Sequence, residues 1–182
     1  MARDPKPDPS PTRLPKDVVV AAVVSQYHRE LTEAMLYSAW REFVAAGLED
    51  DGEHWIVVQA PGAFELPVLA NEVAQGMTVS AVMCLGVVIK GETSHDFHIA
   101  ASVSHELQRI AVHHQIPMLF GLLTCDTLEQ ARERALPGGH DKGREVARAT
   151  IECLRSMECV ADEGDPGYWA AARAREEARL RS

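Results

Sequence analysis

Hydrophobic positions along the chain follow two kinds of pattern. Four runs are nearly continuous and rich in β-branched residues, as in strands covered on both faces. They lie at residues 17–24, 55–59, 80–89 and 117–123. The segments between them carry hydrophobic residues at every third or fourth position, which predicts amphipathic helices. The order βαβαβαβα followed by a further helix predicts a three-layer α/β/α sandwich around a four-stranded parallel sheet, because parallel crossovers are right-handed.

The predicted helices differ in the signals that start them. Pro67 falls in the first turn of a helix predicted over residues 64–75, where a missing N–H costs nothing. Asp126 and Glu129 resemble a capping box that opens another helix directly afterwards. The remaining helices are predicted from hydrophobic stripes alone, around residues 31–46, 99–110 and 146–157.

Composition divides the chain into three parts. Residues 1–16 hold five prolines among polar residues, which predicts a disordered or extended tail without the apolar stretch of a secretory signal. Residues 17–158 are of the length expected for a single α/β domain. Residues 159–182 form a polar break and a helical extension rich in Ala, Arg and Glu. That extension is either a solvated appendage or a docking element.

Charge and composition exclude several classes of partner. The chain has 18 basic and 27 acidic residues, a net charge of −9, and such a field repels nucleic acid. Mean hydropathy is −0.14, and no apolar run reaches the roughly 18 residues of a membrane helix, so we expect no membrane partner. The cysteines show no zinc-type spacing, which predicts free thiols and a cytoplasmic location; they are Cys84, Cys125, Cys153 and Cys159.

The candidate chemistry lies in the turns that follow the strands, because ligands of open parallel sheets bind at that edge. In the third turn, Gly91 lets a ligand approach the backbone, and Thr93 and Ser94 offer donors at a helix N-terminus. Such donors attract a phosphate monoester, although a plain glycine turn with a Ser/Thr N-cap explains the same residues. His95 follows directly, and imidazole can both donate and accept protons near neutral pH.

Other turns carry candidates with open alternatives. Tyr27 offers a flat face for a heterocycle or packs as a half-buried aromatic residue. Glu65 accepts hydrogen bonds from ligand hydroxyls or only complements a helix dipole, and Arg134 binds an anion or only complements the end of its helix. His105 begins the sequence HELQR, which lacks the second histidine of a metalloprotease motif, so we expect no metal site.

Several motifs together resemble those of the 6,7-dimethyl-8-ribityllumazine synthase family. They occur in the family's order and spacing, and their coincidence is more specific than any one motif. The motifs are GAFELP at 62–67, LGVVIKGETSH at 85–95, FGLLT at 120–124, LEQA at 128–131 and KG at 142–143. The resemblance implies a flavodoxin-like subunit that assembles as a homopentamer or an icosahedral capsid of about sixty copies, with active sites between subunits.

The resemblance also implies an activity in riboflavin biosynthesis. Members of the family are transferases that condense 5-amino-6-(D-ribitylamino)uracil with 3,4-dihydroxy-2-butanone 4-phosphate, releasing phosphate and water. The reaction requires no metal or redox cofactor, and riboflavin synthase is a further candidate partner. The alternative is a non-catalytic flavin-binding, lumazine-binding or cage-forming protein of the same fold.

Matching motif positions implies roles for individual residues. His95 would transfer protons, and Tyr27 would stack on the pyrimidine ring. Further substrate contacts would come from Ala63, Phe64, Glu65, Val88, Ile89, Lys90, Phe120 and Lys142. The phosphate would be held by Gly91, Glu92, Thr93 and Arg134. The adjoining subunit would supply Phe120, Arg134 and Lys142.

Three segments depart from the family's usual pattern. Residues 26–28 read QYH where an Arg-Phe-Asn-like turn is usual, so the stacking ring is retained while its polar neighbours change. Asp96 directly follows His95, which moves the usual carboxylate. The loop 135–141 reads ALPGGHD, so one family lysine is replaced by Gly138.

Overall fold

The computed structural model describes residues 13–161, 173–174 and 177–179. From residue 13 to residue 161 the chain alternates strands and helices and then has two successive helices. The elements are β1 (Val20–Ser25), α1 (Arg29–Ala45), β2 (Trp55–Ala60), α2 (Leu66–Gly76), β3 (Ala81–Ile89), α3 (His95–His114), β4 (Met118–Cys125), α4 (Leu128–Ala135) and α5 (Lys142–Ala161). This order is the predicted one.

The four strands form one parallel sheet in the order β2-β1-β3-β4. In the register of the sheet, Val23 of β1 lies between Val58 of β2 and Cys84 of β3. Both inner strands are buried over most of their length, because helices cover both faces. The predicted α/β/α sandwich is therefore confirmed.

Alternate residues of the inner strands belong to two separate hydrophobic clusters. Val20, Ala22 and Val24 join the cluster on the face covered by α1, α4 and α5, whereas Ala21 and Val23 join the cluster beneath α2 and α3. Side chains of a strand point to opposite faces in turn, so a continuous hydrophobic run serves both layers. All strands run in one direction, and the turns that follow them collect at one edge of the sheet.

Two helix starts carried sequence signals, and the structure differs from the prediction at one of them. Helix α2 begins at Leu66, with Pro67 in its first turn as predicted. Helix α4 is capped by Thr127, whose hydroxyl accepts from the N–H of Gln130, while Gln130 Oε1 accepts from the N–H of Asp126. The capping pair is therefore Thr127 and Gln130, and the assignment to Asp126 and Glu129 was wrong by one residue.

The described residues extend slightly beyond the predicted core domain at both ends. Leu14 packs against the hydrophobic core, and its N–H donates to the carbonyl of Ala46 at 3.0 Å. Helix α5 continues to Ala161, three residues past the end predicted for the core domain at residue 158. Most of the predicted N-terminal tail (1–12) and much of the C-terminal extension (162–172, 175–176 and 180–182) lie outside the described residues. Among the residues described, no helix combines the length and hydrophobicity needed to cross a membrane.

Candidate functional site

A cavity of about 360 Å³ opens at the edge of the sheet where β1, β2 and β3 end. The turns after β1 and β2, the end of β3 and the start of α3 contribute to it, so residues distant in sequence meet there. Its lining residues are Tyr27, His28, Gly62, Ala63, Phe64, Glu65, Val87, Val88, Ile89, His95 and Ile99. This is the edge at which an open parallel sheet binds its ligands.

The turn after β1 places an aromatic ring at the cavity. Tyr27 is 69% exposed, and its N–H donates to Ser25 Oγ at 3.2 Å. The ring of His28 contacts it edge-on, with 5.4 Å between ring centroids. His28 has a left-handed backbone conformation (φ 55°), and its carbonyl accepts from the N–H groups of Leu31 and Thr32. The half-buried packing considered for Tyr27 is therefore wrong, since most of the side chain is exposed.

The turn after β2 contributes a carboxylate. Glu65 is half-buried and occupies the N-cap position of α2, but its side chain makes no capping hydrogen bond. A Cβ at Gly62 would lie 2.9 Å from Glu65 Oε2, so the absence of a side chain at Gly62 leaves room for this carboxylate. Ala63 is buried beside it, and Phe64 is 60% exposed at the cavity wall. Glu65 thus presents its acceptor oxygens at the cavity.

The start of α3 contributes the imidazole. His95 is the first residue of α3 and is exposed, and Ile99 follows one turn later on the same side of the cavity. Ser94 holds the N-cap position, but its side chain makes no capping hydrogen bond. The first N–H groups of a helix have no partner within the helix, and here no N-cap side chain satisfies them. Among the described residues, no hydrogen bond joins His95 to Asp96.

The remaining third-turn candidates lie beside this cavity but do not line it. Gly91, Glu92 and Thr93 are exposed in the loop between β3 and α3. Lys90 Nζ lies 3.8 Å from Asp126 Oδ1, and both side chains are largely exposed. A Cβ at Gly91 would meet no atom within 4 Å, so the space over that residue is open.

A second cavity, of about 210 Å³, holds basic side chains instead of aromatic ones. It is formed by the end of β4, the last turn of α4, the following loop and the start of α5. Its lining residues are Leu123, Arg134, His140, Lys142 and Glu145. Lys142 Nζ donates to Glu145 Oε1 at 2.9 Å. Phe120 lies on the edge strand β4, is 40% exposed and lines neither of these two cavities.

The structure thus sorts the candidates into two groups. One cavity collects Tyr27, Ala63, Phe64, Glu65, Val88, Ile89 and His95. Arg134 and Lys142 line the other. Within one copy of the chain, Tyr27 and His95 therefore line a different cavity from Arg134 and Lys142.

Sequence reasoning missed several lining residues. For Ile99 a signal was present, because it lies four residues after His95 and therefore on the same helix face. His28 directly follows Tyr27, but nothing in the pattern showed that its ring would also face the cavity. His140 and Glu145 line the second cavity, and their positions depend on the path of a loop that hydrophobic periodicity does not predict.

A third group of polar side chains lies on the loop that precedes β2, away from both cavities. Ligand atoms of Glu49, Asp51 and His54 lie within 4.8 Å of one another. Asp51 accepts from the backbone N–H groups of Glu53 and His54, and these bonds lower the pKa of Asp51 to about 2. Its carboxylate also accepts from His54 Nδ1 at 2.7 Å, which raises the pKa of that imidazole. Local hydrogen bonding therefore explains this group.

Comparison with known families identifies a match over most of the chain. A family model described as 6,7-dimethyl-8-ribityllumazine synthase matches residues 17–158. The match covers more than half of the chain, from before β1 to within α5. Every lining residue of the two cavities falls inside it.

Proposed function

The chain belongs to the 6,7-dimethyl-8-ribityllumazine synthase family, and from that premise we propose that it is a transferase of riboflavin biosynthesis. It condenses 5-amino-6-(D-ribitylamino)uracil with 3,4-dihydroxy-2-butanone 4-phosphate to give the lumazine, phosphate and water. One observation carries the proposal: a ring for stacking, a carboxylate and an imidazole line one cavity, as Tyr27, Glu65 and His95.

The two ends of the pyrimidine substrate match different walls of this cavity. The exposed ring of Tyr27 stacks on the flat heterocycle. The ribityl chain lies along Ala63 and Phe64, and Glu65 accepts hydrogen bonds from its hydroxyl groups, because an ionised carboxylate is purely an acceptor. Val88 and Ile89 close the cavity from the end of β3. These contacts hold the substrate amine where the second substrate can reach it.

The protein needs no nucleophile of its own, because the substrate amine is one. The amine attacks the ketone, a C–N bond forms, and the ketone oxygen leaves as water. Loss of the proton from the neighbouring hydroxyl-bearing carbon then expels the phosphate, whose C–O bond breaks with its electron pair, and the resulting enol becomes a ketone. The second nitrogen attacks this new ketone and closes the ring with loss of another water. His95 takes protons from the nitrogen and returns them to the departing oxygen, while binding supplies the alignment.

The phosphate binds at the loop between β3 and α3. N–H and hydroxyl donors of Gly91, Glu92 and Thr93 surround it, and the α3 N-terminus adds its positive dipole end. The absence of a capping bond from Ser94 supports this role, because the helix donors there are not occupied by that side chain. Lys90 borders the same site.

The active site is completed by a second copy of the chain in a homo-oligomer. The first cavity has no lysine or arginine in its lining, whereas Arg134 and Lys142 line a cavity that has no aromatic ring other than that of His140. An adjoining subunit therefore supplies Arg134 to the phosphate and Phe120 and Lys142 to the substrates. The two groups of residues are complementary, which supports a shared site.

Mixing the purified chain with both substrates and following the lumazine chromophore tests the proposal. We expect formation well above the spontaneous rate. Calorimetry with lumazine, run beside the assay, distinguishes an enzyme from a protein that binds lumazine without catalysis. Binding without turnover would show a lumazine-binding or cage-forming protein and would overturn the enzyme proposal.

A further inference from the structure

The loop between α4 and α5 has a backbone that only certain residues permit. Gly138 has a φ of +93°, a conformation that side chains with a Cβ rarely adopt. Gly139 lies against the carbonyl group of Glu133, where a Cβ would overlap the oxygen. The N–H of His140 donates to that same carbonyl at 3.0 Å. The end of α4 therefore fixes the position of residue 140.

This backbone disfavours a lysine at position 138. A lysine there would have to adopt the left-handed conformation that Gly138 adopts at no cost. The basic side chain that the loop does present is two residues later. His140 lines the cavity of about 210 Å³ together with Arg134 and Lys142.

Carboxylates lie beside two of these three basic residues and reduce the net positive charge of the cavity. His140 Nε2 lies 3.8 Å from Glu133 Oε1 on α4, and Lys142 Nζ lies 2.9 Å from Glu145 Oε1 on α5. The carboxylate of Asp141 faces the start of α5. Its Oδ1 accepts from the backbone N–H of Arg144, and its Oδ2 lies 3.8 Å from Arg144 Nε. With His140 neutral, Arg134 is the cation of this cavity that has no carboxylate paired to it within the described residues.

We propose that protonated His140 acts with Arg134 and Lys142 as a third cation for a dianionic oxygen group, so that anion affinity at this cavity falls as pH rises. The inference rests on the proposed function, which makes the substrate phosphate that group. The His140 side chain is 66% exposed, as is 64% of Glu133, so the ring is free to turn from Glu133 to an anion. Histidine is the side chain whose charge ordinarily changes between pH 5 and 8.

Sulfate is the probe, because it remains a dianion throughout this pH range and only the protein titrates. Histidine ring resonances of the full-length chain are followed by NMR from pH 5.5 to 8.5 with and without sulfate, with chloride holding ionic strength constant. His140→Asn assigns the resonance. His105→Asn is the matched control, since His105 is also an exposed histidine beside a glutamate, Glu106, at 3.4 Å, but on α3.

Sulfate should raise the titration midpoint of His140 and leave that of His105 in place, because binding and protonation are reciprocally linked. Sulfate affinity of the wild type should fall about fivefold or more between pH 6 and pH 8, the lower end of usual coupling. The sulfate affinity of His140→Asn should change little with pH. An unmoved His140 midpoint, equal shifts at His105, or a pH-independent affinity in the wild type would overturn the inference.

The sulfate experiment and the activity assay test the anion site and the proposed function independently. If sulfate raises the titration midpoint of His140 but the chain forms no lumazine, the proposed function is contradicted and the anion site is supported. If lumazine forms at an enzymatic rate and the midpoint does not move, the function stands and His140 has no part in binding the anion.

Discussion

Gly143, the second residue of α5, lies so close to the backbone carbonyl of Met35 in α1 that a Cβ at position 143 would overlap it. Helices α1 and α5 cover the same face of the sheet, and this contact sets their separation at one point. Lys142 immediately precedes Gly143, so the same contact also fixes the base of the Lys142 side chain beside the second cavity. Gly143 therefore both sets the packing of α1 against α5 and holds Lys142 beside the second cavity.

Gly143→Ala should therefore destabilise the fold. The two helices have to separate to admit the methyl group, and overpacking of this kind costs about 1–3 kcal/mol. Urea unfolding measures the loss. Gly76→Ala, in α2, is the control, because a Cβ there would meet no atom within 4 Å. Equal unfolding midpoints for the two variants would contradict the packing argument.

Removing the ring of Tyr27 should weaken binding of the pyrimidine substrate. Stacking of a base on an aromatic side chain is worth about 1–3 kcal/mol, so Tyr27→Ala should lose that much affinity in a calorimetric titration. Tyr27→Phe keeps the ring and should bind nearly as the wild type does. Tyr37→Ala, an exposed tyrosine on α1 outside the cavity, is the control. If Tyr27→Phe binds as weakly as Tyr27→Ala, stacking is not the source of the affinity.

Two impaired variants should partly restore activity to each other when they assemble together. Arg134→Ala removes the cation and His95→Ala removes the imidazole, and a mixed oligomer pairs an intact His95 with an intact Arg134 at some interfaces. Random mixing in a closed ring makes about a quarter of the sites complete. The two variants are refolded together and assayed, with each refolded alone as the control. No gain over the separate variants would place both residues in sites of a single copy.

The contribution of the Asp51–His54 pair to stability should depend on pH. The pKa of Asp51 is lowered from 3.8 to about 2, so its contribution is present above pH 3.8 and lost as pH falls towards 2. The pKa of His54 is raised from 6.5, so its contribution is present below pH 6.5 and lost as pH rises through the folded value. The two windows overlap between about pH 4 and pH 6.5.

A double-mutant cycle of Asp51→Asn and His54→Gln measures this dependence. The coupling in Tm between the two substitutions should be largest near pH 5 and smaller at pH 9, because the imidazole loses its proton as pH rises. The backbone hydrogen bonds of Asp51 remain at pH 9, so Asp51→Asn alone retains some effect there. A coupling of the same size at both pH values would show that charge does not contribute.

The fold was predictable because the sheet and the helices that cover it have different hydrophobic patterns in the sequence. Continuous hydrophobic runs such as that around Val20–Ser25 mark strands that are buried on both faces, and the three- to four-residue stripes between them mark the covering helices. The cap of α4 was misplaced by one residue because Asp126 and Thr127 are both good N-cap residues. Only the backbone conformation shows that Thr127 holds that position.

The candidate site was predictable in part, because strand ends can be located from sequence. Tyr27, Glu65 and His95 each follow a strand, and the topology of a parallel sheet brings such residues to one edge. His140 could not be placed in the same way. Its position depends on the left-handed turn at Gly138 and on the contact of Gly139 with Glu133, and no periodic pattern encodes either.

The rate of lumazine formation from the two substrates tests the central claim most directly. It is measured for the wild type, for His95→Ala, and for His98→Ala, which removes an exposed histidine of the same helix that does not line the cavity. We expect the wild type and His98→Ala to exceed the spontaneous rate, and His95→Ala to be slower by about a hundred- to ten-thousand-fold, the usual range for one acid–base group. A wild-type rate no faster than the spontaneous condensation would contradict the account.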